Sequence, residues 1–172
     1  MATEPLPQPR LRIAVSACLL GEPVRYDGQE KSCAAVTGGL AAVAELVPLC
    51  PEVGAGMPVP REPVDLHGDP AAPRMIGGVS GEDWTERALA WISAALDRCE
   101  ALGVSGFVLK ARSPSCGVGT AALYPAPGGE PARTDGLLAA AIRRRFPHLP
   151  LVEDEGLDVG AFTERARRAG GG

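Results

Sequence analysis

The chain has 172 residues, of which 45% are hydrophobic and only 4% aromatic, and its formal net charge is −4. That length suits one domain with a real core, and the hydrophobic share excludes disorder throughout. No apolar stretch approaches the ~20 residues of a membrane span, and the polar, Pro-rich run from Met1 to Pro9 has no signal-peptide core, so a cytoplasmic protein is expected.

Residues 1–10 read as a flexible arm, 11–168 as a single domain and 169–172 as a flexible tail. Leu11 to Ala17, rich in β-branched residues, predicts the first strand. A loop with Gly21, Pro23 and Tyr26-Asp27-Gly28 follows, and Ser32 to Leu46 reads as a small-residue helix interrupted by Gly38-Gly39. Leu46 to Cys50 predicts a second strand, stopped by Pro51. From Pro51 to Gly78, the residues Pro58, Pro60, Pro63, Pro70 and Pro73 argue against regular structure, and the stretch reads as a long Pro/Gly-rich active-site loop. Asp83 with Glu86 three residues on has the form of a helix start. Trp84, Ala88, Ile92, Leu96 and Cys99 recur at helical spacing, and Gly103 ends the helix. Val104 to Ala111 predicts a third strand, Thr134 to Phe146 a helix closed by Pro147, Leu149 to Val152 a fourth strand and Asp158 to Ala169 a last helix. Strands alternating with helices predict an α/β domain with a mostly parallel sheet flanked by helices. In such sheets ligands bind beyond the carboxyl ends of the strands.

Five cysteines, an odd number and widely spaced, do not form a disulfide framework in a reducing compartment. Cys99 falls on an apolar helical stripe and reads as core filler. Cys33 begins a helix without other reactive groups beside it and reads as filler too. Cys18, Cys50 and Cys116 differ, because each lies at or shortly past a predicted strand end and is followed by a turn residue (Gly21, Pro51 or Gly117). None belongs to a Cys-x-x-Cys pair, and ferredoxin spacing is absent. The pattern leaves two readings open, a metal centre assembled from distant parts of the chain or three unrelated structural thiols. Glu52, two residues after Cys50, is a candidate proton shuttle beside such a centre, or else a surface turn residue. Ser113 and Ser115 bracket Pro114 as substrate-binding hydroxyls or ordinary turn serines. His67 could complete a tetrahedral zinc site with the three cysteines, whereas His148 reads as a surface connector. No Ser-His-Asp set and no nucleotide-binding glycine motif is present. Arg143-Arg144-Arg145 is the one basic cluster; without a basic stripe or interleaved aromatics it reads as a solvated helix end, so nucleic acid is not an expected partner.

Taken together, Val15-Ser16-Ala17-Cys18-Leu19-Leu20-Gly21, Arg25-Tyr26-Asp27-Gly28, Cys50-Pro51-Glu52-Val53, Gly56-Met57-Pro58-Val59-Pro60-Arg61 and Leu109-Lys110-Ala111-Arg112-Ser113-Pro114-Ser115-Cys116-Gly117 resemble the thiouracil desulfidase family, over about Leu11 to Glu155. The resemblance implies a [4Fe-4S] cluster held by Cys18, Cys50 and Cys116 with one open iron. It also implies Glu52 as acid/base, Ser113 and Ser115 as substrate-assisting hydroxyls, and non-redox desulfuration of a small thiolated base such as thiouracil, with release of hydrosulfide. The expected assembly is a monomer or homodimer with no membrane partner. Relatives carry Tyr-Asp-Gly shortly after the Ser-Pro-Ser-Cys-Gly segment; here Val118-Gly119-Thr120-Ala121-Ala122-Leu123-Tyr124-Pro125 and a Gly/Pro-rich loop to Arg133 stand instead, which bears on the substrate and not on the cluster. The rival readings are a non-catalytic zinc-stabilised domain, a thiol redox protein using Cys50 or Cys116, and a cluster-bearing sulfur carrier for tRNA thiolation.

Overall fold

The β-branched run forms strand β1 (Leu11–Ser16), and the first layer of the molecule aligns on it. The computed structural model describes residue 3 and residues 10–21, 33–125 and 129–170; the expectations for most of the N-terminal arm, for Arg25 to Gly28, for Ser32 and for the last two residues lie outside these. β1 is flanked by β2 (Ala44–Leu49) and β5 (Gly106–Leu109), and β5 by β8 (Leu151–Glu153), in the order β2-β1-β5-β8, with every pairing parallel. A mostly parallel sheet flanked by helices, as the sequence predicts, is therefore present.

Alternation along β1 shows why both faces are covered. Ala14 points to a core shared with α3 (Thr85–Ala101) and α4 (Leu137–Arg145), whereas Ile13 and Val15 point to a core shared with the wide helical segment Ala35–Leu40 and α5 (Val159–Gly170). The wide segment runs into one turn of α-helix, α1 (Ala41–Val43). β2 then begins at Ala44, so the predicted helix to Leu46 overran: Ala44, Glu45 and Leu46 pair with Leu11, Arg12 and Ile13. Tertiary pairing overrides the local helix preference of these three residues. Pro48 is tolerated because β2 is an edge strand. Gly103 stops α3 as predicted, at φ +71, and the amides of Gly103 and Val104 cap the carbonyls of Glu100 and Cys99. At the other end Asp83 accepts the Thr85 amide, while Glu86 pairs with Arg74 instead of closing a capping box. α5 runs to Gly170, one residue past the helix end predicted at Ala169. Among the described residues no helix is long and apolar enough to cross a membrane.

The Pro/Gly-rich stretch needs correction. It is not one irregular loop, because it contains a short helix, α2 (Pro51–Gly54), and an antiparallel hairpin of β3 (Val64–His67) and β4 (Arg74–Gly77). The prolines flank these strands instead of interrupting them: Pro63 precedes β3, and Pro70 and Pro73 lie in the connection. The Gly78 amide closes the base of the hairpin on the Pro63 carbonyl at 2.8 Å. β3 also pairs in parallel with β6 (Ala121–Tyr124), which pairs with β7 (Ala132–Thr134), giving a second sheet in the order β4-β3-β6-β7. Leu66, Met75 and Leu123 of this sheet share a core with Phe107, Ile92 and Leu138, so both sheets belong to one α/β domain. Leu123→Ala, a deletion in that shared core, is expected to cost about 2–5 kcal/mol. Thermal unfolding should then show one transition shifted down by roughly 5–15 °C.

Candidate active site at the carboxyl edge of the parallel sheet

Three chain segments leave the parallel sheet at neighbouring carboxyl ends and turn inward. Cys18 sits in the tight turn Ala17–Leu20 after β1, Cys50 directly follows β2, and Cys116 lies in the loop after β5. All three line one cavity of about 330 Å³, as do Glu52, Ser113 and Ser115. The six residues singled out from the sequence therefore share a single site. Cys99 is buried in the α3 core and Cys33 packs against the opposite core. His67 is exposed on β3, its ring against Tyr124 with 5.5 Å between centroids, and does not line the cavity; His148 is exposed as well. Among the described residues none beyond Cys116 lines the cavity, and Ala121–Tyr124 of the segment that departs from the Tyr-Asp-Gly pattern belongs to the second sheet.

The loop that carries Cys116 is held from below by α4. The amides of Gly136, Leu137 and Leu138 donate to the carbonyls of Gly117, Pro114 and Ser115 at 2.8, 3.2 and 2.8 Å, which satisfies donors a helix start leaves open. So close an approach requires glycine at 136, where a Cβ would lie 2.5 Å from the Ser115 carbonyl carbon and 2.7 Å from the Cys116 nitrogen. Within the loop, Ser113 Oγ accepts the Ser115 and Cys116 amides, each at 3.2 Å.

Burial pushes the Cys116 thiol up to about 12, and the fields of Cys50, Cys18 and Glu52 push the same way, against a hydrogen bond from Ser16 that lowers it. Ser16 Oγ accepts the Lys110 amide at 2.9 Å, which leaves its hydroxyl proton for the Cys116 sulfur. Cys50 is also pushed up by burial, and the adjacent Val53 amide opposes this most. The three sulfurs thus act on one another. Yet among the described residues no group of three His, Cys, Asp or Glu side chains is arranged to hold a single metal ion. A mononuclear site needs its sulfurs within about 4 Å of one another at normal zinc–sulfur distances. In a cubane cluster each cysteine takes a different iron, which permits wider separation. The donor set fits such a cluster, and Cys18, Cys50 and Cys116 are the residues that could hold it.

Glu52 is not a free carboxylate. Arg61, with a side chain only 3% exposed, donates from Nε to Oε1 at 3.1 Å, and Ser115 donates to Oε2 at 2.9 Å. Ser115 and Ser113 are joined at 3.0 Å. A guanidinium, a carboxylate and two hydroxyls therefore run as one chain along the cavity that the sulfurs line.

A family model described as 2-thiouracil desulfurase matches residues 13–154. The chain belongs to this family. The structure of the [4Fe-4S]-dependent thiouracil desulfidase TudS is similar at a TM-score of 0.70 with 35% sequence identity, covering 86% of this chain and 93% of that one. The uncharacterized protein YbbK of Bacillus subtilis (strain 168) is 33% identical over 112 residues, 62% of this chain and 74% of its own.

For a 2-thiouracil desulfurase family member the sequence reading left Ser16, Arg61 and Lys110 without roles, although all three line the cavity. Arg61 ends a motif segment and Ser16 stands two residues before Cys18, so position was the only signal. Gly136→Ala should force the Cys116 loop off α4 and cost about 1–3 kcal/mol. The check is thermal unfolding, where the midpoint should fall by roughly 2–12 °C.

Proposed function

We propose that this chain is a [4Fe-4S]-dependent desulfidase that removes sulfur from a small thiolated base such as thiouracil without net redox change. The observation that carries the reading is the convergence of Cys18, Cys50 and Cys116 on one cavity that also holds the Glu52–Ser115–Ser113 chain. Family membership and the likeness to TudS support it. Cys18, Cys50 and Cys116 are the protein ligands, one iron being left without a side chain. When bound, the cluster supplies a thiophilic Lewis acid for the substrate's exocyclic sulfur.

The chain's own residues supply the proton chemistry. Glu52 removes a proton from water as its oxygen bonds to the thiocarbonyl carbon. The same proton returns when the C–S bond breaks, so thiobase and water become the oxo base and hydrosulfide with a proton, and no electron is gained or lost. Arg61 fixes one carboxylate oxygen of Glu52, and Ser115 links the other to Ser113, giving a path for a proton between the carboxylate and the Cys116 loop. Leu49, Pro63 and Val64 give the cavity an apolar wall for a flat ring to lie against. A volume of about 330 Å³ lies at the small end for ligand sites, which suits a single-ring base better than a polymer.

Anaerobic reconstitution should give a brown protein with about four irons per chain that releases sulfide from thiouracil. Replacing Cys18, Cys50 or Cys116 by serine should abolish the visible absorption and the iron, while Cys99→Ala keeps both; iron retained in full by all three serine variants overturns the ligand set. Glu52→Ala should keep the absorption and lose roughly 10²–10⁴-fold in turnover. Desulfuration at the unmodified rate by that variant would show that another group moves the proton.

A further inference from the structure

Three cationic side chains line the cavity, Arg61, Lys110 and Arg112, and they differ in what they already hold. Arg61 donates to Glu52 and, at 3.4 Å, to the Pro58 carbonyl. Arg112 forks onto the two carboxylate oxygens of Glu155 at 2.7 and 2.5 Å. Lys110 is nearly buried, its side chain 14% exposed, yet its Nζ makes only a 3.3 Å contact with the Ala111 carbonyl. Asp154 Oδ2 stands 3.8 Å away, beyond hydrogen-bond range, and Asp154 Oδ1 already accepts the Ala111 amide at 2.8 Å. An ammonium group has three donors and no acceptor. Nζ thus has one hydrogen bond and a longer ion pair with Asp154, which leaves donors open to an acceptor brought into the cavity that Lys110 lines.

We propose that Lys110 is the specificity-determining residue of this cavity, donating from Nζ to an exocyclic carbonyl oxygen of the substrate at a position other than the one that loses sulfur. The proposal rests on the desulfidase reading above. A donor-only side chain rewards an oxo group and leaves an amino group facing it without an acceptor. The site therefore favours thiolated bases with a second oxo group over their amino counterparts.

The test compares 2-thiouracil with 2-thiocytosine on the reconstituted enzyme, in the unmodified protein, in Lys110→Met, and in Lys110→Met combined with Asp154→Asn, which removes the carboxylate left unpaired. Both variants should keep the visible absorption and lose about 10- to 100-fold in kcat/KM on 2-thiouracil. Most of the loss should appear in KM, and 2-thiocytosine should change far less. Equal losses on both substrates, or an unchanged ratio, overturn the proposal. Calorimetric binding of uracil and cytosine separates its failure from that of the desulfidase reading, because it requires no sulfur release. A Lys110-dependent preference for uracil supports the assignment even if neither thiobase is turned over, and no such preference overturns it.

Discussion

Three thiols crowded into one water-poor cavity set the electrostatic problem that the surrounding structure answers. Burial disfavours the Cys50 and Cys116 thiolates, and the fields of Cys50 and Cys18 add to burial in pushing Cys116 up to about 12. Left to themselves Cys50 and Cys116 keep their protons at neutral pH. A positively charged inorganic core reverses the preference, because it exchanges protons for metal–sulfur bonds. Since the raised values at Cys50 and Cys116 favour the protonated form, a core held there, as proposed, would compete with protons and be held less firmly as pH falls.

The chain prepares for thiolates before any metal is considered. The Ser16 hydroxyl is turned toward Cys116 because the Lys110 amide occupies its oxygen, and the Val53 and Glu52 amides face Cys50. Arg61 acts twice, favouring charge on Cys50 and pairing with Glu52, so a buried acid and a buried base stay compensated beside the sulfurs. A parallel sheet makes this possible at low cost in chain. Neighbouring strands end side by side, so residues as far apart in sequence as Cys18, Cys50 and Cys116 reach one edge without special loops.

Much of this was legible in the residues. The strands of the parallel sheet betray themselves by apolar runs, and the position of three cysteines at or past their ends made a shared site one of two open readings. The second sheet was not legible: β3, β4 and β6 have four residues each and β7 three, too short for period-two alternation to stand out among prolines and glycines. Prolines were read as forbidding strands where they delimit them. The ligand set and the acid came from the family resemblance, since spacing alone left three unrelated thiols equally open. Ser16, Arg61 and Lys110 acquire meaning only through partners distant in sequence, such as the Ser16–Lys110 bond, and no local pattern encodes those.

The structure also separates two serines that the sequence treats alike. Ser115 has one hydroxyl proton, and it goes to Glu52, so in the bond between the two serines Ser113 is the donor. Ser113 Oγ already accepts two amides, which fills its capacity and makes it the brace of the Cys116 loop. Ser115 retains one lone pair. With Glu52 ionised, every proton in this chain points toward the carboxylate. If Glu52 takes up a proton, as proposed, it can donate to the remaining lone pair of Ser115, and the Ser115 proton is then free to turn toward the cavity while Ser113 stays fixed by its two amides. The orientation of one hydroxyl, that of Ser115, would thus follow the protonation of one acid, and the braced Ser113 would keep the Cys116 loop in place through either state.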